Sequence, residues 1–374
     1  MADAAPPGQG AEAARPLLEI DLAALAANWR RLDGIHRAAG GRATGAAVKA
    51  NGYGVGLTLV APALADAGCR QFFTATPEEA LSLADLLPGV WIACLNGCPS
   101  GLEAAFTARS IRPALNSLAD LDRWRDHARH RESPCPALLH VDTGMSRLGL
   151  DAAEFRRLRE RRDPLDGVAL DYVMTHLVSA ESAGAEETVR QRRRIADLRA
   201  AFPDVPLSIA NSAGIFLGAA MASDLARPGY ALYGGNPTPA QTNPMQPVVF
   251  LSAPVLQVRD IEEGETVGYG ATWRASRPSR IATLGIGYAD GLPRCLGNRT
   301  MMLAGERKLP VVGRISMDLA TLDVTDAPDI APGSRIEVLS AARGVDALAS
   351  DAGTIGYEIL TALGPRYRRV VKSV

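Results

Sequence analysis

Gly45-Ala46-Ala47-Val48-Lys49-Ala50-Asn51-Gly52-Tyr53-Gly54-Val55-Gly56 reads as a short apolar strand that ends on a lysine and runs at once into a glycine-rich turn. The chain has three lysines against thirty-seven arginines, so the placing of Lys49 is informative. An amine at the buried end of a strand loses hydration. Its charged form is disfavoured, its pKa falls and it becomes nucleophilic, as an imine-forming lysine must be. A strand-end lysine can instead snorkel its ammonium to solvent. This window alone leaves both readings open.

From about residue 45 strands and helices alternate. The pattern predicts strands near 45–50, 71–76, 90–95, 111–115, 137–142, 169–175, 206–210 and 225–233. Helical patterns lie between them, for example Pro77 to Leu87, Leu118 to Arg131, Ala152 to Arg162 and Glu186 to Phe202. Several open on proline or a capping residue. Eight such units match a closed (β/α)8 TIM-like barrel, an α/β fold. An open doubly wound sheet is the alternative, but no G-x-G-x-x-G follows the first strand.

Pro, Thr and Asn crowd residues 236–247, and the texture then changes. Alternating patterns at Val255 to Val258, Arg280 to Ile286, Thr300 to Leu303 and Leu319 to Val324 predict a mostly β C-terminal domain, with one helical stretch over roughly Gly344 to Leu363. The expected organisation is a disordered tail over 1–15, a barrel over 16–243 and a β-rich domain over 244–374. Leu17 to Leu32, strand-like and then helical, can pack on either domain.

With 47% apolar and 22% charged residues the chain can bury a sizeable core. A formal net charge of −1 removes the global electrostatic case for nucleic acid, and acidic residues are interspersed among the arginine clusters. No apolar run approaches a membrane span. The first fifteen residues lack a basic start followed by an apolar stretch, so no secretory signal is expected. Five cysteines, with only Cys94 and Cys98 close together and in no common zinc or redox spacing, predict buried reduced thiols, a cytoplasmic setting and no metal site.

Catalytic groups of such barrels sit at the C-terminal ends of strands. Lys49 ends the first predicted strand. Asp142 to Arg147 follow the fifth, His176 ends the sixth, Asn211 and Ser212 follow the seventh, and Arg227-Pro228-Gly229 lie in the eighth. Loops after strands seven and eight often hold phosphate. Ser212 offers a hydroxyl there and Gly229 lets the backbone approach closely. A lysine imine beside a phosphate cradle points to pyridoxal 5'-phosphate.

Ala47-Val48-Lys49-Ala50-Asn51-Gly52-Tyr53-Gly54 resembles the cofactor-lysine motif of alanine racemases. The resemblance recurs, in order, at Val141 to Gly149, Arg227-Pro228-Gly229, Gly268 to Trp273, Gly287 to Gly291 and Ser316-Met317-Asp318, and spans Leu17 to the C-terminus. It implies a cofactor-bearing barrel, a β-rich second domain and a homodimer whose active sites form between subunits. It implies two-base racemisation of a small amino acid, L-alanine to D-alanine, for peptidoglycan. Lys49 and Tyr269 are then the bases on opposite faces, and His176 and Arg227 the support for a phenolate at Tyr269. Arg227 faces the cofactor's ring nitrogen, where a permanent cation opposes protonation. Tyr53, Ser212, Gly229, Tyr230 through its backbone and Tyr357 through its hydroxyl resemble phosphate contacts. Arg147 resembles the residue that holds the cofactor's phenolic oxygen and the substrate carboxylate. Met317 contacts that carboxylate through its N–H, Tyr288 narrows the entrance, and Asp318 supports the Ser316–Met317 turn.

Two positions depart from the family pattern. Where many relatives carry a lysine, often carbamylated, this chain has His140, so Arg147 is oriented by something else, His140 or a bound anion among the options. Ser316 stands where cysteine is common. A barrel-type amino-acid decarboxylase, a racemase of other amino acids such as serine, and a non-catalytic cofactor carrier are the competing readings. The first lacks support from a glycine-run phosphate loop. The carrier resembles the barrel alone.

Because residue 140 is histidine, activity should not respond to carbon dioxide through carbamylation there. Intact-peptide mass spectrometry that found a carbamate on residue 140 would refute this.

Overall fold

The computed structural model describes residues 15–161 and 165–372. The tail expected over 1–15 lies outside the described residues apart from Arg15. Leu25–Met245 forms one compact unit, and the described residues before Leu25 join those from Gln246 onward in a second.

The chain opens with β1 (Leu17–Ile20) and α1 (Leu22–Ala38). The barrel strands follow as β2 (Ala43–Thr44), β3 (Ala46–Ala47), β4 (Gln71–Thr74), β5 (Trp91–Cys94), β6 (Ile111–Leu115), β7 (Cys135–His140), β8 (Val168–Met174), β9 (Leu207–Ser208) and β10 (Leu225–Ala226). Neighbours are parallel, in the order β2-β10-β9-β8-β7-β6-β5-β4-β3. The two end members are halves of one strand, parted only by Gly45. On one side Ala43 and Gly45 donate to the carbonyls of Asp224 (2.8 Å) and Ala226 (2.9 Å). On the other side Ala46 and Ala47 lie against Phe72 and Phe73 of β4. The sheet thereby closes on itself. The seam is tight: a Cβ on Gly45 would sit 2.7 Å from the carbonyl oxygen of Gln71 and 2.8 Å from the ring of Phe73.

The strands are buried because helices cover a parallel sheet, and their sequences are accordingly near-continuous apolar runs. The helices are α2 (Leu57–Ala67), α3 (Pro77–Leu86), α4 (Glu103–Ala108), α5 (Leu118–Ala128), α6 (Ala152–Glu160), α7 (Glu186–Ala201) and the short α8 (Ser212–Ile215). Local chemistry sets their starts. Thr76 and Glu79 form a reciprocal capping box ahead of α3, with Pro77 in its first turn. Ser117 and Asp151 cap α5 and α6. The last predicted strand, 225–233, stops at Ala226. Pro228 has no N–H to extend a ladder, and Tyr230–Tyr233 coils into a 3-10 turn.

The second unit is built on β11 (Val249–Ile261). It adds the small hairpin β12 (Thr266–Val267) and β13 (Trp273–Arg274), then β14 (Ser279–Leu284), β15 (Met301–Ala304), β16 (Arg307–Pro310), β17 (Ala320–Asp323), β18 (Arg335–Leu339), the helices α9 (Val345–Ala352) and α10 (Gly356–Thr361), and β19 (Arg368–Val371). β11 pairs with β18 and β1 along its first part and with β14 along its second, and a bulge at Val255/Gln257 marks the switch. Residues 17–20, which by sequence can pack on either domain, hydrogen-bond between β11 and β19. The helical stretch 344–363 breaks in two at Gly353, whose φ of +70° ends α9.

Gly45→Val should destabilise the protein by ~2 kcal/mol or more, because the seam has no room for a branched side chain. Urea denaturation reads this as a lowered midpoint, and an unchanged midpoint would show that the seam can open.

Candidate active site

Lys49 lies one residue beyond β3, half-buried, at the head of a turn of unusual hand. Ala50, Asn51, Gly52 and Tyr53 have φ of 53°, 53°, 62° and 54°, a full left-handed turn. For the three non-glycine residues this costs about 1–2 kcal/mol each. Specific bonds hold it. One carboxylate oxygen of Glu79 accepts the Ala50 N–H at 2.6 Å, while the other accepts those of Ala75 (2.9 Å) and Thr76 (3.3 Å). The side chain of Asn51 accepts the Leu57 N–H at 2.8 Å. The pKa of Lys49 is lowered, first by burial and then by the positive charge of Arg147; Glu79 opposes this and Arg227 adds to it.

The same turn delivers Tyr53 into the core, where its ring stacks on Tyr233 at 4.6 Å. Its hydroxyl reaches Gly229 so closely that a Cβ there would lie 2.1 Å from it. Ser212 accepts the N–H groups of Gly229 (3.0 Å) and Ala231 (3.2 Å) on its Oγ. Its single hydroxyl hydrogen is thus left to donate elsewhere. Lys49, Tyr53, Ser212, Gly229 and Tyr230 therefore come from segments that the barrel brings to one end.

Arg227 is buried, and its guanidinium donates to Ser208 Oγ (2.7 Å), to the Thr175 carbonyl (2.6 Å) and to His176 Nδ1 (3.4 Å). None of these acceptors is a carboxylate. Burial brings its pKa down to about 10, so it stays a cation at neutral pH. A guanidinium only donates, so Nδ1 of His176 accepts and the hydrogen of the neutral ring sits on Nε2. His176 is kept neutral: burial first, then Arg227, Arg147 and Lys49, hold its pKa well below the usual value.

His140 is buried at the end of β7. The Asn116 amide donates to the carbonyls of Leu95 (3.0 Å) and Ala114 (3.1 Å), so its Oδ1 accepts from His140 Nδ1 at 2.7 Å. Burial and then Arg227 lower the pKa of His140 to about 4. No hydrogen bond joins it to Arg147. The loop that carries Arg147 is instead ordered by Asp142, whose carboxylate accepts the N–H groups of Gly144 (2.8 Å), Met145 (2.8 Å) and Ser146 (2.9 Å). A bridge between Val141 and Leu150 closes the loop at its base, and Arg147 is left exposed.

In the second unit Tyr269 is 70% exposed, on a turn between Gly268 (φ 76°) and Gly270 (φ 73°). Tyr288 and Met317 lie on two turns laced together, with Tyr288 N–H donating to the Ser316 carbonyl (3.1 Å) and Ala289 N–H to that of Met317 (2.9 Å). Asp318 pairs with Arg366 at 2.7 Å. Tyr357 is half-exposed on α10.

Sequence reading missed Glu79, Asn116 and Arg366. Glu79 is legible as a helix cap; its second role on Ala50 is a contact across 29 residues. Of the five cysteines, all free, Cys295 is exposed rather than buried as expected. Among the described residues no group of His, Cys, Asp and Glu is arranged to hold a metal, and no helix is long and apolar enough to cross a membrane.

Residues 20–237 match the family described as alanine racemase, N-terminal domain, and residues 248–371 match alanine racemase, C-terminal domain. The chain is 58% identical to an alanine racemase of Acidiphilium cryptum over 359 residues, 96% of this chain and 99% of that protein. It is 49% identical to one of Methylobacterium nodulans over 354 residues, 94% and 95% of the two chains. Among solved structures it is similar to alanine racemase from Bartonella henselae with covalently bound pyridoxal phosphate, with a TM-score of 0.91, 39% identity, and 96% and 100% of the two chains covered.

The neutral histidines predict an acid-labile fold. The unfolded chain binds protons below about 6.5, which the folded His140 refuses until about 4. Stability from this group is therefore complete above about 6.5 and is lost as pH falls towards about 4, by up to ~3 kcal/mol. Urea midpoints across this window should fall with pH, and His140→Gln should flatten the fall. An equal slope in the variant would show that His140 is protonated in the folded protein.

Proposed function

This chain belongs to the alanine racemase family, and on that premise we propose that it interconverts L-alanine and D-alanine as a pyridoxal 5'-phosphate-dependent isomerase. The observation that carries the reading is Lys49: an amine whose ammonium is disfavoured, held on a strained turn at the barrel's end.

The barrel residues fit the cofactor. Gly229, lacking a Cβ, lets the Tyr53 hydroxyl come up against its backbone, Ser212 keeps a hydroxyl hydrogen to donate, and Arg227 is a buried cation with no carboxylate partner among the described residues. Lys49 would anchor it, with Tyr53, Ser212, Gly229, Tyr230 and Tyr357 on the phosphate and Arg227 at the ring nitrogen. When bound, the conjugated ring delocalises the electron pair left on the substrate's Cα as its proton departs.

Inversion needs a proton removed from one face of Cα and another returned on the opposite face. Lys49 Nζ serves one face, because burial and two arginines favour its neutral, basic form. The Tyr269 hydroxyl serves the other. A phenol, with an ordinary pKa near 10, needs donors and positive charge to act as a base. His176 offers the Nε2–H that its bond from Arg227 dictates, and Arg227 supplies the charge. Arg147 and the Met317 N–H hold the substrate carboxylate, which fixes the Cα–H bond between the two bases. The Met317 N–H makes no hydrogen bond within the described chain, so it is available as a donor. Arg227, a cation at neutral pH, would oppose protonation of that ring nitrogen and so limit the side reactions that such protonation promotes.

A homodimer with shared active sites is supported by Tyr269, Met317, Ile355 and Tyr357, large apolar side chains that the second unit leaves 40–70% exposed. In the cell the enzyme would act in the cytoplasm and supply D-alanine for peptidoglycan.

Lys49→Ala should abolish both the visible absorption of bound cofactor and racemisation. Tyr269→Phe should keep the absorption and lose racemisation by a factor of about 100 or more. Circular dichroism of L-alanine incubated with each protein measures turnover, and unimpaired turnover in either variant would remove that residue from the reaction.

A further inference from the structure

We infer that Arg366 is a positioning residue for the substrate carboxylate: it ties the Ser316–Asp318 turn to the Gly287–Asp290 turn and so fixes the direction of the Met317 N–H. The inference rests on the racemase reading and goes beyond it by naming what holds the donor in place.

The geometry starts at Asp290, 3% exposed. Its Oδ2 accepts the Gly287 N–H at 2.9 Å, which shapes the first turn, and its Oδ1 accepts from Arg366 Nε at 2.7 Å. The same guanidinium donates from a second nitrogen to Asp318 Oδ1, also at 2.7 Å. One planar fork thus spans two carboxylates on two turns, a task that arginine performs better than the point charge of a lysine. The turns are already in contact. A Cβ on Gly287 would meet the Met317 carbonyl oxygen at 2.3 Å. The Ser316 carbonyl accepts Tyr288 N–H, and Ser316 N–H donates to Leu319 at 2.8 Å.

These bonds set a direction. The peptide joining Ser316 to Met317 is trans, like all the described peptides, so its N–H points opposite to its C=O. The C=O faces the Gly287–Tyr288 turn. The Met317 N–H therefore faces away from it. Beyond these backbone bonds, rotation of that plane about the line joining the turns is opposed by Asp318, on the next residue, which Arg366 holds.

An exposed ion pair adds little to global stability. Asp318 and Arg366 have side chains 57% and 47% exposed, so breaking their bond should be felt in substrate binding and not in folding. The reporters are the cofactor-loaded enzyme, L-alanine kinetics and competitive inhibition by propionate, which offers a carboxylate without an amine. Asp318→Asn should raise KM for alanine and Ki for propionate by about tenfold, with kcat changed less than about twofold, the signature of lost uniform binding. The thermal midpoint should stay within about two degrees. Arg366→Ala should have an effect of similar size, Arg366→Lys should recover part of it, and the double variant should add little to either single one. Unchanged KM and Ki in Asp318→Asn, in a wild type that racemises alanine, would overturn this inference alone. A fall in kcat and thermal midpoint that Arg366→Lys does not relieve would make the arginine a structural brace and also overturn it. A wild type inert towards alanine would take down the racemase reading as well.

Discussion

The molecule depends on a backbone conformation that chain chirality disfavours. Left-handed turns of L-residues cost energy at every step except glycine, and here Ala50, Asn51 and Tyr53, with Gly52 between the last two, adopt one directly after Lys49. Hydrogen bonds accepted by the side chains of Glu79 and Asn51 hold it, and Tyr53 is clamped by stacking on Tyr233. In return the chain reverses within one turn. Lys49 is left at the barrel's end and Tyr53 is carried beside Gly229. A right-handed continuation would send Tyr53 elsewhere. Strain kept at a site by surrounding bonds of this kind is what preorganisation looks like in a backbone.

Charge follows the same logic. Arg147 and Arg227 disfavour protonation of Lys49, His176 and His140, adding to the effect of burial. The result is an uneven distribution in which the arginines carry the charge. His176 and His140 are neutral, Lys49 is biased towards neutrality, and the buried guanidinium meets only uncharged acceptors. Such a site favours an anionic guest, and a phosphate together with a carboxylate matches that demand.

Much of this was legible in the residues. The strand–helix alternation, the proline and capping residues that open several helices, and the apolar runs gave the barrel, because local propensity and burial act over short spans. The Lys49 segment and its companion motifs led to a family. Other features were misread for physical reasons. The 225–233 strand was overextended because an apolar run does not by itself distinguish a strand from a 3-10 turn after proline. The helix over 344–363 was read through a glycine that terminates it. The packing of residues 17–20 stays open in the sequence, because strand pairing obeys no proximity along the chain. Tyr269, in isolation an unremarkable strand tyrosine, gained its role only from the family resemblance.

By itself the sequence determined the periodicities, the helix starts and the kinds of side chain available: a scarce lysine, an arginine before a proline and glycine, and a histidine where a carbamate-forming lysine is common. Those are properties of neighbours along the chain, and they are expressed wherever that stretch finds itself. Only the tertiary structure decided that the barrel closes across Gly45, that Glu79 reaches back to Ala50, that Asn116 sets the tautomer of His140, and that Arg366 joins Asp290 to Asp318. Each of these is a short contact between residues more than twenty positions apart. Its existence depends on the fold having already paid the entropy of bringing them together.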